Sequence, residues 1–179
     1  EVFSLSNKSA ESTIWLAFLE NKKVNSSDID PMLVFLFRSE TAKALEVLLT
    51  RQQDWFLKYQ LALIYKDRNR DEECMRLLRS CGDEPGYAPF YATRSMIFRD
   101  IDPTLSFRDI QKAIQLDRNE WRYHKMLAAY YITEKQPADA LRTVEPFYKS
   151  HTDNYIMGML YAKTLMLNKR YKEADLLLS

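Results

Sequence analysis

The chain has 179 residues, 46% hydrophobic and 28% charged, with only 3 glycines and 6 prolines. That is the composition of a globular domain or a short repeat array, and it excludes disordered, collagen-like and disulfide-scaffold classes. Lysine plus arginine number 26 against 25 for aspartate plus glutamate, a net charge of +1. A nucleic-acid binder would carry a basic surplus, and the longest apolar run, Met32 to Phe37, is far short of the roughly 20 residues that cross a bilayer. Neither a nucleic-acid partner nor membrane insertion is expected.

Apolar residues recur at intervals of three and four, so the expected class is all-α. The expected helices run near 9–22, 31–37, 40–50, 54–67, 71–80, 88–99, 103–116, 120–134, 137–150, 154–168 and 171–179. Asp30-Pro31 and Asp102-Pro103 each place a capping residue before proline at a first helical position, and Gln136-Pro137 is a weaker version. Acids at Asp71, Glu72 and Glu73 suit the positive end of a helix dipole, and Gly82 suits the end of that helix. The cysteines Cys74 and Cys81 are expected as small buried side chains. On one helix they lie about 10 Å apart along the axis, too far for a disulfide. With His124 and His151 distant in sequence, no zinc spacing results, and neither metal nor cofactor is expected.

A period emerges from self-comparison. Small residues fall at Ala62, Ser95, Ala128 and Ala162, and again at Cys74, Ser106, Ala140 and Ala174. A small residue on each helix of an antiparallel pair lets the backbones approach, while large neighbours such as Leu61, Tyr65 and Leu78 fill the flanks. A single pair cannot bury both faces, so such pairs must stack.

This helix-turn-helix register resembles the tetratricopeptide repeat (TPR). Leu127, Ala128, Tyr131 and Ala140 stand on its signature positions, and Asn168-Lys-Arg-Tyr171-Lys-Glu-Ala174 stands on its turn. The whole of 1–179 is read as one helical-repeat domain. Within it are an unassigned N-terminal helix in 1–30, a degenerate repeat at 31–53, a repeat at 55–87, one at 88–118 shortened by a residue at its turn, the best copy at 121–154, and an incomplete one at 155–179. The resemblance implies a right-handed α-α superhelix whose first helices line a concave groove.

Carried over by register, the groove positions include Tyr59, Gln60, Leu63 and Lys66, then Thr93, Met96 and Arg99, then Arg122, Lys125 and Met126, and then Met159 and Lys163. This mixed apolar and basic surface suits an acidic, partly apolar protein or peptide partner. The charged pairs by which some relatives clamp a chaperone tail are absent. Tyr59 and Leu63 stand on one set of clamp positions, Arg122 and Met126 on another.

No phosphate loop, metal-binding helix or nucleophile motif is present, so a non-enzymatic interaction scaffold is expected. The alternative is a structural arm of a larger enzyme or carbohydrate-handling protein, packed against its own chain. Both readings treat the sequence as a piece of a longer, bacterial multidomain protein. Arg94 occupies a position that should be apolar, and Asp67, Asp100 and Asp102 are its candidate partners if it is buried. Leu176, Leu177 and Leu178 form an apolar end, through which self-association is expected.

Overall fold

The computed structural model describes residues 10–24, 26, 29 and 39–178. Among these are ten helices and no strand: α1 (Ala10–Leu19), α2 (Ser39–Arg51), α3 (Trp55–Asp67), α4 (Asp71–Ser80), α5 (Ala88–Phe98), α6 (Pro103–Leu116), α7 (Trp121–Thr133), α8 (Pro137–Ser150), α9 (Tyr155–Leu167) and α10 (Tyr171–Leu178). The helix expected at 31–37 lies outside the described residues. The helices group into two compact units, 1–86 and 87–179.

In the first unit α1 packs on α2, α2 on α3 and α3 on α4. Asp54 starts α3: its Oδ1 accepts the Phe56 and Leu57 N–H groups at 3.0 Å each, and its Oδ2 accepts the Ser26 hydroxyl. These bonds satisfy two of the donors that a helix start leaves without partners. The core holds Leu45, Leu48, Phe56, Leu57, Ile64 and Leu78. Cys74 and Cys81 are buried free thiols, and burial pushes the Cys74 thiol up to about 11.

The second unit is three antiparallel hairpins, α5 with α6, α7 with α8 and α9 with α10, joined by packing of α6 on α7 and α8 on α9. Leu141, Val144 and Phe147 of α8 share one apolar cluster with Met157, Tyr161 and Leu165 of α9. Gly158 gives this junction its closeness, because a Cβ there would stand 3.0 Å from the Tyr148 ring.

All eight small residues of the sequence ladder are buried, from Ala62 and Cys74 to Ala162 and Ala174. The turns repeat as faithfully. Asn69, Lys135 and Lys169 each take a left-handed backbone with φ near 60°. The next N–H then reaches back five residues in each copy: Arg70 to Tyr65, Gln136 to Tyr131 and Arg170 to Leu165, at 2.8, 2.8 and 3.0 Å. The α5–α6 turn lacks the left-handed residue. There Asp102 N–H bonds Phe98 O at 2.7 Å, the geometry of a turn one residue short. The same left-handed ending closes α1, at Asn21, with Lys22 N–H on Ala17 O at 2.9 Å. The N-terminal helix therefore ends as the first helices of the repeats do, a kinship that its side chains conceal.

Two turns also share an ion cluster. Arg70 meets Glu73 and Glu46, and Arg170 meets Glu173 and Glu145, so the arginine that opens α4 or α10 links that helix to α2 or α8, two helices back along the chain. Arg70 also covers the Tyr65 ring at 3.9 Å. Burial and the Tyr65 hydroxyl's bond to Glu46 push that phenol up to about 12.

Arg94 is 1% exposed. It is paired with Asp109 of α6, an acid outside the expected three, by two bonds, Nε to Oδ2 at 2.7 Å and Nη2 to Oδ1 at 2.8 Å. The rings of Phe90 and Tyr91 flank the guanidinium at 4.9 and 5.4 Å. One residue further along α5, Ser95 meets Ser106 hydroxyl to hydroxyl at 2.9 Å. Two polar pairs thus lie buried between α5 and α6, among apolar residues such as Phe98 and Ile110. Removing one member of such a pair leaves an uncompensated buried charge, whereas replacing both by apolar groups can be neutral. Asp109→Ala should therefore cost about 3–5 kcal/mol in urea unfolding, and Arg94→Met with Asp109→Leu should recover most of it. A loss below about 1 kcal/mol in the single variant would assign the pair no more than a surface role.

Candidate functional site

First helices of the second unit carry several of the expected groove residues in exposed positions. On α7, Arg122 and Lys125 are exposed and both approach the Trp121 ring at 5.7 Å. Their cationic heads share one aromatic plate. Arg122 also lies 3.5 Å from Glu120, whose carboxylate caps the helix through the Arg122 N–H. One repeat on, α9 exposes Met159 and Lys163, and its apolar character continues into exposed Tyr155, Ile156 and Met166. A helix apolar on every side normally lies inside a protein, yet α9 buries only one face, with Met157, Tyr161, Ala162, Thr164 and Leu165.

The other expected site residues divide by unit. Met96 of α5 and Arg99 just after it are exposed, Met96 at 64%, while Thr93 and Met126 are half-buried. In the first unit Tyr59 and Gln60 are buried and Leu63 half-buried. Lys66 is exposed but bonded to Asp71 at 2.9 Å. At the apolar end Leu176 and Leu178 are exposed, whereas Leu177 packs on the α8–α9 cluster.

One grouping escaped the sequence reading. His124, near the start of α7, and His151, just after α8, stand on either side of Phe147. The ring centroids are 4.5 Å apart for His124–Phe147, and 4.4 Å apart and nearly parallel for Phe147–His151. Separation in sequence hid them, but an antiparallel hairpin sets the beginning of its first helix beside the end of its second. They border an open pocket of about 430 Å³ between α6, α7 and α8. A carbonyl only accepts, so the 2.9 Å contact from His124 Nε2 to Arg118 O places a proton on Nε2. Among the described residues no group of three or more His, Cys, Asp or Glu is placed to hold a metal ion, and no helix is long and apolar enough to cross a membrane.

No protein-family model matches the sequence, and no curated protein does. Solved structures do. MamA aligns over 76% of this chain and 76% of its own, with 14% identity and a TM-score of 0.64. YrrB, described as a TPR protein with an unusual peptide-binding site, aligns over 78% and 75%, with 14% identity and a TM-score of 0.62. TPR-like repeats of a Podosopora anserina kinesin light chain align over 94% and 89%, with 12% identity and a TM-score of 0.60. The chain has a TPR-like, all-α helical-repeat fold.

Burial holds the His124 imidazole below its ordinary value of 6.5, with the bond to Arg118 O opposing and the neighbouring His151 adding to the effect. The unfolded chain then takes up a proton near pH 6.5 while the folded chain resists until a lower pH, so stability present above about 6.5 declines as pH falls through that window. Urea midpoints measured between about pH 7.5 and 5 should fall with pH, and less steeply in His124→Gln. Parallel slopes in the two proteins would remove His124 as the source.

Proposed function

We propose that the chain is a non-enzymatic protein-interaction scaffold, and that the exposed face of α7 and α9 binds an acidic, partly apolar segment of a partner protein. The observation carrying this reading is the pairing of Arg122 and Lys125 over Trp121 with the exposed apolar residues of α9 one repeat away. Cations held against an aromatic plate are partly ordered before a partner arrives, which lowers the entropy lost on binding. Met96, Met159 and Met166, all exposed, add flexible apolar contacts that adapt to the partner's side chains. That a similar fold in YrrB has a peptide-binding site supports the class of partner. Thr93, Arg99, Met126 and Lys163 complete the proposed surface, and Tyr59, Gln60, Leu63 and Lys66 of the first unit are not needed for it.

Selection from a displayed peptide library tests the reading. Acidic sequences containing apolar residues should be enriched on the wild-type chain, and Arg122→Glu with Lys125→Glu should weaken the selected peptides by about tenfold or more, because like charges then face each other. Helical circular dichroism should be unchanged. Enrichment of basic peptides, or equal affinity in the double variant, would overturn the assignment.

A further inference from the structure

The histidine pocket lies between α6, α7 and α8, and is lined by none of the residues of the proposed peptide-binding face; its chemistry is different. Its floor is hydrocarbon, from Ile114, Leu127, Pro146 and Phe147; its rim carries Arg118, His124, Arg142 and His151; and no Asp or Glu lines it. The nearest acids are already engaged. Asp139 bonds Arg142, and Asp117 accepts the Asn119 N–H at 3.2 Å.

Each histidine has one ring nitrogen engaged by the protein. His124 Nε2 is committed to Arg118 O, and His151 Nδ1 lies 3.1 Å from Phe147 O and 2.9 Å from Ser150 Oγ. The remaining nitrogens are His124 Nδ1 and His151 Nε2. Neither has a hydrogen-bond partner among the described residues. A volume of about 430 Å³ falls in the range of roughly 300–1,000 Å³ common to small-molecule sites, which pair apolar walls with a few convergent polar groups. An extended peptide would instead need a long open track.

We propose that this pocket binds a small apolar carboxylate, an aromatic or branched acid whose hydrocarbon body rests on Phe147 and Leu127 and whose carboxylate meets Arg118, Arg142 and the two imidazoles. The site takes a free small molecule, and it is independent of the α7–α9 face. Its affinity rises as the solution is acidified, since the His124 imidazole then gains a donor and a positive charge beside the arginines. The charged groups around His124 are Arg118 and Asp117 from the α6–α7 turn, and Arg142, Asp139 and His151 from α8 and its end.

Phenylacetate and its uncharged amide, phenylacetamide, are the probes, followed through the imidazole signals of His124 and His151 by nuclear magnetic resonance. Phenylacetate should shift both sets saturably and bind more tightly at about pH 6 than at about pH 8. Phenylacetamide should bind at least about tenfold more weakly. Arg118→Gln with Arg142→Gln, both exposed positions, should weaken phenylacetate by a similar factor while leaving peptide binding to α7 and α9 unchanged. Equal shifts from acid and amide, no shift at either histidine, full affinity in the arginine variant, or histidine shifts produced by acidic peptides and not by phenylacetate would each overturn the proposal.

Discussion

Everything in the fold depends on how closely the two helices of a pair approach. At Ala128, Ala140, Ala162 and Ala174 the contact is made by side chains of one carbon, all buried, so the larger residues beside them interlock at interior density. A larger residue at any of these points would push the backbones apart and open the whole hairpin, not one local contact. The turn is subject to the same constraint. A left-handed residue followed by an N–H reaching back five residues reverses the chain within two or three residues, and the second helix starts close enough to meet the first.

The hairpin of α5 and α6 shows what happens when one part of that pattern is missing. Its turn is one residue short, its small residues are serines, and an arginine stands where the pattern is apolar. The structure closes the gap with polar groups that satisfy one another. Ser106 donates to Ser95 O or shares its hydroxyl contact with Ser95, and Asp109 takes both arms of the Arg94 fork. A bidentate pair tolerates little displacement. Charge thereby gives α5 and α6 a fixed register of their own where the usual turn geometry does not supply one.

The ladder of small residues was legible because it is a covalent fact of spacing, repeated often enough that no single copy had to be trusted. The turns were legible for the same reason, and the shortened one could be read from the register alone. Partner choice was not. Asp100 and Asp102 lie nearer to Arg94 in sequence than Asp109, but Asp102 caps α6 and an antiparallel partner is found by counting outward from the turn. Ser95 facing Ser106 gives the register in which Arg94 meets Asp109, a step open to the sequence once those serines are taken as the contact. The similarity of α1's ending to those of the other first helices was hidden because it is carried by backbone geometry at Asn21, a residue type that tolerates the left-handed region better than most, and not by a repeated side-chain pattern.

The proposed binding surface is drawn from what the ladder leaves unused. A first helix spends its small residue and flanking bulk on its own hairpin, and residues rotated away from that contact stay exposed; Arg122, Lys125, Met159 and Lys163 are of this kind. Their exposure makes their identities informative, since packing does not dictate them. The histidine pocket arises differently. Phe147 is needed to fill the junction of α7 and α8, yet it meets an imidazole on each side where hydrocarbon would pack as well. Burial of the His124 ring makes that junction responsive to protons, and the basic rim gives the response a sign: lowering the pH adds positive charge beside Arg118 and Arg142. On the proposal above, an anion in the pocket would relieve this accumulation and offset the loss of hairpin stability in acid.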